Sequence, residues 1–183
     1  MDSAIPWRSR GNGGIRWDAP FTVAFQADLR SSRRKLYSGG LIGQEVHAAS
    51  SLRQRHIVFD SALLSSPAEL RRIATHELFH FAWIRLGNPG REAWEALLER
   101  ECAARARGEL GWSAEWRKLE LTKPDWRNRS RRWRDYVCES FCDTAAWLLT
   151  GAHPHAEVTL GTAHARRRAD WFVRLLRTRG VTI

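Results

Sequence analysis

Five residues, His76-Glu77-Leu78-Phe79-His80, constrain this chain more than any other feature. They read H-E-x-x-H and fall inside a segment with helix-start chemistry. Ser66 stands at the N-cap, Pro67 at the first helical position and Glu69 in the first turn. The helix is expected to run to about Leu86, stopped by Gly87-Asn88-Pro89-Gly90. At about 3.6 residues per turn, His76 and His80 leave the same face one turn apart, so both imidazoles reach one cation. Glu77 is rotated away from the pair but borders its open side, where it can take a proton from water on the metal. Zn²⁺ lowers the pKa of such a water from about 15.7 towards roughly 7, which makes a nucleophile at neutral pH.

Two histidines do not complete a catalytic zinc site, which needs three protein ligands and a free position. Trp83 and Leu86 stand where a metzincin continuation would need Gly and His, and no histidine occurs between His80 and His153. A strong helix expected from about Arg134 to Leu149 carries Glu139 and Asp143, four apart on one face. Its other residues, among them Val137, Cys138, Phe141, Cys142, Ala145 and Ala146, are mostly apolar. Carboxylates on such a helix need a cation, a charge partner or hydrogen bonds. Over a metal held by the two histidines, Glu139 can offer a ligand oxygen and Asp143 can accept the other ring N–H of His76. A surface ion-pair face beside Arg134 is the competing reading, and His153 or His155 is the third ligand if Glu139 is not.

His76-Glu77-x-x-His80 with Glu139-x-x-x-Asp143 resembles the gluzincin class of zinc metallopeptidases. The resemblance implies one Zn²⁺ per chain on His76, His80 and Glu139, Glu77 as general base, and Asp143 supporting His76. Peptidases of this kind often stabilise the oxyanion with a His or Tyr, for which Tyr136, His153, His155 and His164 are the candidates. Ile57-Val58-Phe59-Asp60 is similar to the edge strand of these enzymes, which holds an extended peptide by strand addition. The compact layout also resembles the ImmA/IrrE-type intracellular regulatory peptidases, with 91–121 reading as an inserted helical segment.

The remaining pattern predicts an α+β fold: a small N-terminal, mostly antiparallel sheet packed on the active helix, then a helical C-terminal part. Residues 1–19 read as an irregular leader, and 20–183 as a single zincin-like domain. Strands are expected at Phe21–Phe25, Leu41–Val46 and His56–Asp60, with a polar hairpin link at Ser31–Lys35. Helices are expected at 67–86, 91–107, 113–121, 134–149 and 161–179, with a basic loop at 124–132. The likeness to the metallopeptidases spans about residues 21–150. Cys102, Cys138 and Cys142 are too few and odd in number for a disulfide framework. The Cys138/Cys142 pair reads as buried free thiols, with soft-metal or redox use as the alternative.

Charge bears on partners. Thirty Lys+Arg against 20 Asp+Glu give a net +10, yet only Lys35, Lys118 and Lys123 are lysines. That bias fits a GC-rich genome as well as a binding surface. The basic run 127–134 and the Arg166-Arg167-Arg168 cluster are the segments best suited to phosphate or an acidic substrate. With no secretory signal and no long apolar span, a cytoplasmic protein without membrane contact is expected. Two functions follow. The first is a zinc-dependent peptidase acting on a peptide or protein substrate, an acidic one if the basic surface steers it. The second is a nucleic-acid-associated regulatory or binding protein whose zinc site is structural or vestigial.

Overall fold

Pro67 at the first turn and Gly87 in the left-handed region (φ +75°) bracket helix α1, Pro67–Arg85, which carries the H-E-x-x-H residues. In this computed structural model the described residues are 14–32, 35–39, 43–151 and 154–183. Ser66 takes the N-cap position but its side chain makes no capping hydrogen bond. The expected stop at 87–90 is instead the first turn of α2, Gly87–Ala103. Gly87 changes the chain direction and Pro89 is accommodated where its missing N–H costs nothing.

Helix α3 (Trp112–Leu119) follows, then α4 (Lys123–Arg127) and α5 (Arg131–Thr150). The basic segment read as a loop therefore holds a short helix, started by a reciprocal capping box between Thr122 and Asp125. The Ser130 side chain caps α5, accepting from the Trp133 N–H at 3.2 Å, and Gly151 ends it at φ +65°. Helix α6 covers Thr162–Thr178.

The strands form three small sheets, so the fold is α+β with mostly antiparallel pairing. In the central sheet, β2 (Thr22–Gln26) pairs in parallel with β7 (His56–Asp60), whose other side pairs antiparallel with β6 (Ala48–Ser51). β7 is thus the middle strand and not the edge expected. Its consecutive buried residues Ile57, Val58 and Phe59 face packing on both sides. β6, which the sequence reading missed, is one edge and β2 the other.

The link expected at 31–35 contributes to a second sheet. β3 (Arg30–Ser32) pairs with β4 (Lys35–Tyr37) and β5 (Gln44–Glu45), while residues 33 and 34 lie outside the described residues. Of the strand expected at 41–46 only Gln44–Glu45 is seen, and 41 and 42 lie outside the described residues. Residues 1–13 of the expected leader also lie outside. Its later part is ordered: β1 (Ile15–Arg16) pairs in parallel with β8 (Val181–Thr182), tying the two ends of the described chain together.

The core lies where α1 crosses α5 and meets α2 and α6. Phe79, Phe141, Phe172 and Trp94 are all at most 1% exposed, with the Phe141 and Phe172 ring centroids 4.7 Å apart. Each such side chain contributes about 1.5–3 kcal/mol by burial. This aromatic packing fixes α1 against α5, so residues on their shared upper edge have set positions.

Candidate metal centre

Four side chains from α1 and α5 converge above that core. The His76 Nε2 lies 3.2 Å and the His80 Nε2 3.9 Å from one oxygen, Oε2 of Glu139. Nitrogen and oxygen ligands about 2.0–2.2 Å from a tetrahedral ion sit about 3.4 Å from each other. The observed separations bracket that edge. On the far side of His76, Nδ1 lies 2.7 Å from Asp143 Oδ1, so the ring presents Nε2 to Glu139.

Asp143 is itself held. Its Oδ2 accepts the Ala114 N–H at 2.9 Å, at the start of α3. A Cβ on Gly111 would fall 2.4 Å from the Asp143 Cγ, so the chain approaches this carboxylate at a position with no room for a side chain. Arg117, also from α3, places Nη2 3.0 Å from Glu139 Oε1, the oxygen turned away from the histidines. Ala114, Gly111 and Arg117 were absent from the sequence reading, because their role depends on where α3 docks.

Glu77 is buried beside the pair, and its Oε2 accepts a short hydrogen bond from the Ser50 hydroxyl of β6. Behind His80, Nδ1 lies 3.5 Å from Cys138 Sγ and 3.4 Å from Cys142 Sγ. His76, His80 and Cys142 bring ligand atoms within 4.8 Å of one another, positions from which they can hold a metal ion.

Electrostatics follow from this crowding. Burial alone would lower the His76 pKa, but Asp143 and Glu139 hold it well above its ordinary value. His80 is likewise raised to about 9 against its burial, through Cys138 and Glu139. Burial would raise Glu139, yet His76, His80 and Arg117 hold it at about 2. Without a metal, protons on the imidazoles supply the positive charge that the carboxylates require.

The centre forms the floor of a cleft of about 950 Å³. Ala48, Ala49 and Ser50 of β6 line one side, and Trp112, Trp116 and Arg117 of α3 the other. Trp112 and Trp116 are 48% and 55% exposed, a large apolar area facing the opening. His47 O accepts from Asp60 N at 2.8 Å, and Ala49 and Ser51 pair with β7 in the same register. By the alternation of an antiparallel ladder, the backbone N–H and C=O of Ala48 and Ser50 point away from β7, along the free edge.

The other candidate residues are engaged elsewhere. Tyr136 is fully buried and donates to Glu109 Oε1 at 2.6 Å, away from the cleft. His155 sits 2.9 Å from Glu69 Oε1. His164 lies 3.0 Å from Arg167 and 3.7 Å from Glu101, between α2 and α6. None of these three lines the cleft, and His153 lies outside the described residues. Glu69, His155 and Glu157 form a second ligand-rich group, but Arg72 bonds both carboxylates, at 2.8 and 2.7 Å, and fills it. Within the basic run, Arg129 pairs with Glu95 and Glu99 and Arg131 with Asp135. Arg168 is fully buried, unlike a solvated helix face. Among the described residues no helix is long and apolar enough to cross a membrane. No protein-family model matches the chain, and no curated protein and no solved structure is significantly similar to it.

Proposed function

We propose that this chain is a zinc-dependent peptidase, with His76, His80 and Glu139 as the metal ligands and Glu77 as general base. The observation that carries the reading is the convergence of both Nε2 atoms on one Glu139 oxygen at the floor of an open cleft. The donor set fits zinc: two imidazoles and a carboxylate leave a fourth position open, and Asp143 fixes the first imidazole's tautomer. When bound, zinc supplies a water acidified to near-neutral pKa and a Lewis acid for the scissile carbonyl.

The remaining work falls to the chain. Glu77 accepts the proton of the attacking water and passes it to the leaving amine, while the Ser50 hydroxyl holds its Oε2 in place. The free edge of β6 binds an extended substrate through the Ala48 and Ser50 backbone groups, with Trp112 and Trp116 across the cleft receiving apolar side chains. Arg117 keeps one Glu139 oxygen occupied, which leaves the other for the metal.

Glu77→Gln tests the reading. The variant is expected to take up one zinc per chain and to cleave a mixed peptide library about 100- to 10,000-fold more slowly than the wild type. Equal rates in variant and wild type, or failure of the wild type to bind zinc, would overturn it.

A further inference from the structure

His80 has two ring nitrogens, and only Nε2 faces Glu139. On the opposite side, Nδ1 sits between two sulfurs, at 3.5 Å from Cys138 and 3.4 Å from Cys142. The thiols are four residues apart on one face of α5 and also interact with each other. One ring N–H makes one good hydrogen bond, so hydrogen bonding accounts for only one of these close sulfurs. A tetrahedral ion with N at about 2.0–2.1 Å and S at about 2.3 Å has N···S edges of about 3.5 Å, and both observed separations match. Cys142 is fully buried, whereas Cys138 is partly exposed and borders the cleft, giving an ion a way in.

The geometry points to a second cation site formed by His80 Nδ1, Cys138 Sγ and Cys142 Sγ, for a soft divalent ion such as Cd²⁺. Two thiolates prefer soft, closed-shell metals, and with a divalent ion and a neutral imidazole they form an uncharged group suited to burial. Binding releases to solvent the protons held on the two thiols and the Nδ1 proton of His80, and forms three metal–ligand bonds. A neutral imidazole has one lone pair on its ring nitrogens, directed from Nδ1 or from Nε2 but not from both. Filling the thiolate site therefore withdraws His80 from the site with His76 and Glu139, and the two positions exclude each other. A soft metal would thus displace zinc by switching a tautomer, without occupying zinc's position.

Cadmium titration of the metal-free protein tests this, read by the ultraviolet sulfur-to-cadmium charge-transfer band. The band is expected to saturate at one ion per chain, to persist in Cys102→Ser and Glu139→Gln, and to vanish in Cys138→Ser, which binds Cd²⁺ at least about tenfold more weakly. Zinc-loaded protein should release its zinc in step with the growing band. In the unmodified chain, Cd²⁺ should shield Cys138 but not Cys102 from alkylation, a readout that needs no variant to fold. Absence of the band or of the shielding, or an undiminished band in folded Cys138→Ser, would overturn the site. A full band with all zinc retained would overturn the mutual exclusion. Glu139→Gln separates this proposal from the peptidase reading: full zinc affinity there would defeat that reading while leaving the cadmium band as an independent measure.

Discussion

Two buried charged centres flank α5, and they solve the same electrostatic problem in different ways. Around Arg168, the Glu101 and Glu109 carboxylates are answered by the Arg168 guanidinium and by Lys118, 2.8 Å from Glu109. Tyr136 and Ser140 add hydroxyl contacts to Glu109. Two negative charges meet two positive ones, and the cations are part of the chain. In the cleft, Arg117 pairs with Glu139, while the other lining arginine among the described residues, Arg72, is taken up by Glu69 and Glu157 and leaves Glu77 and Asp143 with no cation of their own. With neutral imidazoles that leaves two negative charges, balanced either by two protons or by one divalent ion. A centre that carries its own cations is structural. One whose carboxylates outnumber its free cations and that opens on a cleft has residues positioned to hold a metal ion.

The largest effect that tests this contrast is Arg168→Met. It strands the buried Glu101 and leaves Glu109 with Lys118 as its one cationic partner among the described residues, so unfolding free energy is expected to fall by about 3–5 kcal/mol. Urea denaturation measures it, and zinc added to the folded fraction should still bind at one per chain. A loss below about 1 kcal/mol would mean that the arginine centre is not the structural one.

Acid and base separate the centres next. Burial would raise Glu109, but Arg168 and Lys118 hold it at about 2 against an ordinary 4.5. A lowered carboxylate stabilises the fold fully above pH 4.5, and that stability is lost as pH falls from there towards 2. His80 has the opposite sign. Raised from 6.5 to about 9, it stabilises the metal-free protein fully below pH 6.5 and loses this as pH climbs towards 9. Each limb is worth on the order of 3 kcal/mol. Zinc in place of the imidazole protons should remove the alkaline limb and leave the limb below pH 4.5 that comes from Glu109. Denaturation across pH with and without zinc checks this, and an alkaline limb indifferent to zinc would break the comparison.

The cleft centre was far more legible in the sequence than the buried one, for a periodic reason. His76/His80 and Glu139/Asp143 are each four apart, so helical geometry alone puts each pair on one face. Arg168 looked like part of a surface run with Arg166 and Arg167. Yet Ala165, Arg168, Phe172 and Leu175 follow a three-four-three spacing, and all four are buried. That stripe was a readable signal. So was the run Ile57-Val58-Phe59, which lacks the alternation of a one-sided strand and marks β7 as central. Arg117, Gly111 and Ala114 carried no such mark, because α3 reaches the site through tertiary packing. Tyr136, His155 and His164 have suitable chemistry, but nothing local tells which way a side chain points.

The smallest effect probes how the cleft centre depends on its supports. Asp143 touches no expected metal position, but it spans His76 Nδ1 at 2.7 Å and the Ala114 N–H at 2.9 Å. Asp143→Asn keeps the shape and removes the charge. An amide oxygen can still accept from Nδ1–H, so the ring keeps its orientation while its Nε2 becomes a weaker base, and the NH2 turned towards Ala114 gives up that one acceptor contact. Zinc affinity is expected to fall about 10- to 100-fold, with urea stability of the metal-free protein changed far less than by Arg168→Met. Competition with a chelator of known affinity measures the first, and denaturation the second. Should zinc affinity hold while stability collapses, Asp143 would belong with Glu109 as a structural carboxylate, and the division between the two centres would have to be redrawn at α3.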